Sequence, residues 1–361
     1  MHKICRQLIG ATLWPTRHLS RKYHPDLMMN NNTLYAFYDL QVAPVTYDVS
    51  WFVASAELAR RHAGLENIHF VIVPGNYDGF REERALYESA VDTETRRWRL
   101  HNIVLPILTF VPSFAGYTLL PSRQHVHQYR TRAGSHIYPE LYEPHLPISH
   151  HPSELLNINP DSPFAQEAGC LRSPAQGIRY VTQWLTARLS GRKLITITLR
   201  DYSFMKARNS NIHAWIEFAN RLDSTQFFPV FILDTERTLD PLPPALTAFE
   251  VFREASWNVW LRMSLYESSF LNLGINNGPL FMSALNRRTR LLIFKIVTPS
   301  VPQTTEEIIS KIGFTIGGQL PFATRFQRLV WKDDTLDVLE HEFYEMATNI
   351  ENSTRLEQPM P

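Results

Sequence analysis

Leu271-Asn-Leu-Gly-Ile-Asn-Asn-Gly-Pro-Leu-Phe-Met-Ser-Ala-Leu285, followed by an apolar run over 291–297, reads as strand, loop, helix and strand. Pro279 suits a first helical turn, where its missing N–H needs no partner. Asn276, Asn277 and Gly278 supply a cap and a stretch of backbone open to close approach by a ligand. A phosphate there would meet free N–H groups and the positive end of the helix dipole. The other reading is an ordinary Asn-Gly turn that caps the helix.

Upstream, the apolar alternation at 193–199 ends in Arg200-Asp-Tyr-Ser-Phe-Met-Lys-Ala-Arg-Asn209, which leads into another helical pattern. Arg200, Lys206 and Arg208 fall in one loop after a strand. Such cations can clamp a diphosphate, because guanidinium groups bind phosphate oxygens in pairs. A solvated loop with Arg200 paired to Asp201 is the alternative.

Short apolar runs alternate with helix-length amphipathic stretches from residue 33 onward, the pattern of βαβ units and parallel sheets. Strands are expected over 34–38, 68–73, 117–120, 193–199, 228–233, 270–273 and 291–297. Helices are expected over 47–62, 82–100, 174–189, 212–222, 257–266 and 336–347, and from 279 onward. Seven prolines between 121 and 163 mark a connection too broken for regular elements. The chain therefore divides into a basic leader (1–32), a first α/β domain (33–165), a second α/β domain (166–330) and a C-terminal helix and tail (331–361). The fold class is α/β, with two halves built on parallel sheets, joined by the proline-rich connection, and a cleft between them. A ligand site is expected there, at the carboxyl ends of strands.

The composition suits this reading. Of 361 residues, 44% are apolar and 20% charged, which is globular rather than disordered. Lys and Arg total 36 against 35 acids, a net charge of +1 that gives no global field for nucleic acid. Two cysteines, Cys5 and Cys170, are too few for a disulfide scaffold and fit a reducing, cytoplasmic compartment. The leader's Lys3, Arg6, Arg17, Arg21 and Lys22 oppose Asp26, which points to peripheral contact with the inner face of an anionic membrane or to a simple basic leader. Residues 102–122 lack charge, but Pro106, Pro112 and Gly116 suit a buried helix end, loop and strand rather than a membrane span.

The second half resembles nucleotide-sugar glycosyltransferases of the two-Rossmann-domain (GT-B) type. Asn276-Asn277-Gly278-Pro279 is similar to the acidic-x-Gly-Pro-x-His loop with which bacterial lipopolysaccharide heptosyltransferases hold donor phosphate. Asn276 stands where that pattern has an acid and Phe281 where it has His. Thr198-Leu199-Arg200 resembles the post-strand arginine of fucosyltransferases that use a guanosine-diphosphate donor. The resemblance implies a nucleotide-sugar donor held by the second domain, a glycan or glycolipid acceptor held by the first, and no bound metal or other cofactor. It also implies that an acid of the first domain acts as general base, with Asp39, Asp78 and Glu82 as candidates by their place after strands. A helix N-cap is the plainer role for each. Glu267 and Ser268, with Ser269, are candidates for the donor ribose hydroxyls, or else a solvated helix end.

Six histidines between 125 and 151 include a His-x-His pair, so a metal site or simply a polar, proline-broken loop is expected there. His24-Pro-Asp26 copies a co-chaperone loop tripeptide, but Pro15 leaves no room for the helical hairpin that motif needs. Dinucleotide, Walker, nucleophile-elbow and zinc-protease motifs are absent from the sequence. Two other functions stay open: a nucleotide-sugar epimerase of the same fold, and a non-catalytic nucleotide-sugar or glycan-binding protein.

Overall fold

Two all-parallel sheets organise the chain. The computed structural model describes residues 32–134 and 136–357; the basic leader, Asn32 apart, lies outside them, and with it Cys5, His24-Pro-Asp26 and the expected membrane contact. The first sheet comprises β1 (Thr33–Asp39), β2 (Asn67–Val73), β3 (Phe114–Leu119) and β4 (Ile137–Tyr138), in the order β3-β2-β1-β4. The second comprises β5 (Lys193–Thr198), β6 (Phe227–Ile232), β7 (Glu250–Val251), β8 (Leu271–Ile275), β9 (Leu291–Phe294) and β10 (Gln327–Val330), in the order β10-β9-β8-β5-β6-β7. Counted within its own sheet, this is the doubly wound order 3-2-1-4-5-6, and the first sheet has its 3-2-1-4 half. The winding reverses beside β5 and beside β1, and at such points a crevice opens outside the carboxyl ends of the strands. All seven residues of β1 are buried, as a strand covered on both faces requires.

Among the described residues, the α-helices of seven residues or more are α1 (Val49–His62), α2 (Thr93–Arg99), α3 (Val126–Ala133), α4 (Ala175–Thr186), α5 (Ile212–Arg221), α6 (Val259–Ser268), α7 (Gly278–Ala284), α8 (Glu306–Ile312) and α9 (Leu336–Glu357). From Val49 to Leu58 every residue of α1 is buried. Its Trp51 lies 6.1 Å from the Phe281 ring of α7 and 5.9 Å from the Phe322 ring, so one apolar interior runs beneath both sheets. On the far side, α9 sets Phe343 edge-on against Phe218 of α5 and Phe227 of β6.

Two stretches differ from expectation. The helix expected over 82–100 is broken, because the Asp92 carboxylate caps a new start by accepting the Thr95 N–H at 2.8 Å. α2 then passes through a π-helical turn, Leu100–Val104, just before Pro106, whose missing N–H cannot bond the carbonyl four residues back. The proline-rich connection holds regular structure after all, since residues 122–138 contain no proline. α3 and β4 form there, and β4 adds an edge strand beside β1. Among the described residues no helix is long and apolar enough to cross a membrane.

Candidate functional site

The carboxyl ends of β5, β6 and β8 open onto a cavity of about 500 Å³. Thr198, Leu199, Arg200, Arg208, Asp234, Glu236, Arg262, Asn277, Gly278 and Pro279 line it from the second half. Thr46, Tyr47, Trp98 and Arg99 line it from the first. An adjoining cavity of about 400 Å³ shares Arg208, Asn277 and Gly278 and extends into the first half, past Tyr38, Asp48, Trp51, Arg81 and His150. The two form one cleft with Arg208 at the join.

The loop after β5 wraps around its own arginine. The Arg200 N–H donates to Ser210 Oγ at 2.9 Å, and the guanidinium donates to the Phe204 and Met205 carbonyls at 3.0 and 3.3 Å and to Asn209 Oδ1. Burial pulls its pKa down against the opposing charge of Asp234. The Asp201 pairing does not form; Asp201 faces Arg237 at 3.6 Å. Arg208 donates to the Asn276 carbonyl at 3.3 Å. Burial, and then the neighbouring charge of Arg200, lower its pKa to about 10 while Asp48 works the other way. Lys206 is exposed on the same loop and lines neither cavity, so the expected three-cation clamp has two members from this loop.

In the loop after β8, Asn276 donates from Nδ2 to the Ile296 carbonyl at 2.7 Å and Asn277 caps α7 through Leu280 N–H at 3.0 Å. Gly278 lies against the first half. A Cβ there would stand 2.6 Å from Tyr47 Cβ, which is attached directly to backbone and cannot swing away. Gly278→Ala is therefore expected to part α7 from Tyr47, costing about 1–3 kcal/mol in denaturant unfolding.

The remaining candidates lie elsewhere. Asp39 is buried in an ion pair with Arg123, 2.6 Å from Oδ1, and accepts the Tyr142 hydroxyl at 2.7 Å; it faces neither cavity. Asp78 is exposed at the tip of a turn closed by Gly75 N–H to the Gly79 carbonyl at 2.8 Å, with φ +49°. Glu82 is exposed beside Tyr77, whose phenol it pushes up. Neither acid reaches the cleft. Glu267 accepts the Ser173 N–H at 2.9 Å, Asn286 Nδ2 at 2.7 Å and Arg288 at 3.0 Å; burial works to raise its pKa, but these bonds hold it low. Ser268 is exposed at the end of α6. Both precede β8, and a loop before a parallel strand lies at the amino edge of the sheet, opposite the cleft.

Asp234, Arg99, Arg262 and Asp48 are among the cleft residues not singled out in the sequence. Asp234 follows the run 228–233 just as Arg200 follows 193–199, so the same rule would find it; burial raises its pKa despite a hydrogen bond from the Glu236 N–H. Arg99 and Arg262 come from helices. Arg99 reaches the Tyr202 hydroxyl at 3.0 Å from across the cleft, and Arg262 is fixed by the Ala255 carbonyl at 2.6 Å. Asp48 precedes α1, yet its carboxylate makes no cap hydrogen bond to the helix and, among the described residues, accepts from the Thr46 hydroxyl at 2.9 Å. The histidines do not gather: among the described residues no group of three or more His, Cys, Asp or Glu side chains is arranged to hold a metal.

This arrangement has counterparts among solved structures. A family 9 glycosyl transferase from Veillonella parvula DSM 2008 superposes with a TM-score of 0.52 at 9% identity, over 90% of this chain and 99% of that one. The E. coli ADP-heptose lps heptosyltransferase II gives 0.53 at 10% identity, over 88% and 99%. No family model and no curated protein matches the sequence. The fold is thus the GT-B arrangement that the resemblance implied.

Proposed function

We propose that a chain with this fold and this cleft transfers a sugar from a nucleoside-diphosphate donor to a hydroxyl of a glycan or glycolipid. One observation carries the reading: Arg99, Arg200, Arg208 and Arg262 converge on the cavity at the carboxyl ends of the second sheet, against two acids, Asp234 and Glu236. A diphosphate supplies the missing negative charge. As the bond from the sugar carbon to phosphate oxygen breaks, the charge that grows on the leaving diphosphate meets guanidinium groups already in position, the service a divalent cation gives elsewhere.

Asp48 is the acid of the first half that lines the cleft, and its carboxylate is not engaged as a cap. In this reading it takes the proton from the acceptor hydroxyl while the acceptor oxygen forms the new bond to the sugar.

The test is a thermal-shift screen of the whole chain against nucleoside diphosphates and their sugar conjugates, with Arg200→Ala alongside. A ligand at 100 times its Kd adds about 2.7 kcal/mol of stability. A shift with one nucleotide, lost in the variant, supports the reading; no shift with any of them overturns it. Asp48→Asn is expected to retain the shift while release of nucleoside diphosphate from the donor slows by about 10²–10⁴-fold.

A further inference from the structure

The proline- and histidine-rich segment contributes His150 and His151 to the cleft lining, and His150 is held from behind. His150 lines the cavity of the first half, with its side chain 6% exposed. Its Nδ1 lies 3.3 Å from Glu154 Oε1 and 3.2 Å from the Tyr138 hydroxyl, which itself donates to Glu154 Oε2 at 2.5 Å. Phe52 closes on the ring edge-on at 6.0 Å. The other ring nitrogen, Nε2, is buried and has no hydrogen-bond partner among the described residues. Buried polar atoms are almost always satisfied in native proteins, so an orphan on a ring that lines a cavity points to a partner absent from the protein itself.

The chemistry of that partner follows from the other nitrogen. With Nδ1–H donated to the Glu154 carboxylate, Nε2 carries the lone pair and can accept an O–H. Trp51, Phe281 and Phe314 line the same cavity, the latter two with ring centroids 5.6 Å apart, and give it an apolar wall suited to the C–H side of a sugar ring. Asp48 stands in that cavity as well.

We infer that His150 Nε2 accepts a hydrogen bond from a hydroxyl of an acceptor sugar ring, next to the hydroxyl that Asp48 deprotonates, and so selects which ring is seated. The inference rests on the transferase reading above. Glu154 is a positioning residue in this account, fixing the tautomer of the imidazole.

The experiment uses the full chain, labelled with ¹⁵N-histidine, and probes it with the methyl α-glycopyranosides of glucose, galactose and mannose. ADP, GDP and UDP are titrated in parallel. Expected are an Nδ1–H tautomer for His150, displacement of its Nε2 resonance by at least one glycoside, and at least tenfold weaker binding of that glycoside to His150→Phe. His150→Gln, whose amide oxygen can also accept, restores part of the affinity, and the nucleotide affinity stays within twofold in both variants. Glu154→Gln shifts the tautomer balance. If a nucleotide binds but no glycoside moves the His150 resonance, or His150→Phe binds every glycoside as the wild type does, the inference fails and the transferase reading stands. If no nucleotide binds, the transferase reading fails, and the wild-type glycoside titration alone decides the sugar site. That titration also decides the matter if His150→Phe does not fold.

Discussion

Arg208→Met is expected to weaken nucleoside-diphosphate binding ten- to a hundredfold or more, while leaving the free protein as stable as before or more so. The loss follows from deleting a charge-assisted hydrogen bond to phosphate, worth about 1.5–3 kcal/mol. The stability follows from its lowered pKa of about 10. Since the folded chain holds this proton less tightly than the unfolded one, the charged form opposes folding. That opposition is complete below pH 10 and fades as the pH climbs from there into the ordinary arginine range. At neutral pH it amounts to roughly 3 kcal/mol, from which the packing lost with the guanidinium must be subtracted. Calorimetric titration with the nucleotide and thermal unfolding at pH 7 measure the two effects separately. A variant that binds nucleotide normally removes Arg208 from the donor site.

The second large effect is expected at Asp39 and concerns folding rather than chemistry. Its side chain is wholly buried. Oδ1 accepts from Arg123 at 2.6 Å and from the Gln41 N–H at 2.9 Å, and Oδ2 accepts from Arg123 at 3.0 Å and Tyr142 at 2.7 Å. Arg123 in turn donates to the Pro74 and Pro144 carbonyls at 2.9 and 2.6 Å, so one carboxylate fastens the end of β1, the end of β2 and the proline-rich segment together. Asp39→Ala strands the half-buried Arg123 guanidinium and the buried Tyr142 hydroxyl and is expected to cost about 2–4 kcal/mol in denaturant unfolding. The protein that remains folded is expected to bind nucleotide normally. Full stability with lost turnover would instead return Asp39 to the list of catalytic acids.

The contrast between these residues explains what the sequence allowed. The strands over 67–73 and 271–275 were legible because their apolar runs stop at Pro74-Gly75 and Asn276-Asn277, and Arg200 was legible because it stands where the run over 193–199 stops. β10 was not, since Gln327 and Arg328 open a four-residue strand that only its pairing with β9 defines. Arg99 and Arg262 lie on helices, where a lone cation reads as a solvated face until the tertiary fold turns it inward. Glu267 and Ser268 are near Asn276 in sequence but not in space. The five residues of β8 stand between them and separate the two ends by about 17 Å. Asp39 sat at a strand end, as a catalytic acid would, but its partners Arg123 and Tyr142 come from more than eighty residues away.

Trp51, wedged between Phe281 and Phe322, makes the two halves a single thermodynamic object. Severing the chain in the proline-rich segment would strip water-excluding neighbours from the indole on one piece and from both phenyl rings on the other. Such fragments would associate rather than fold. Exchanging one sheet for that of a relative, the kind of recombination that a two-sheet architecture invites, has to carry the aromatic wedge along with it.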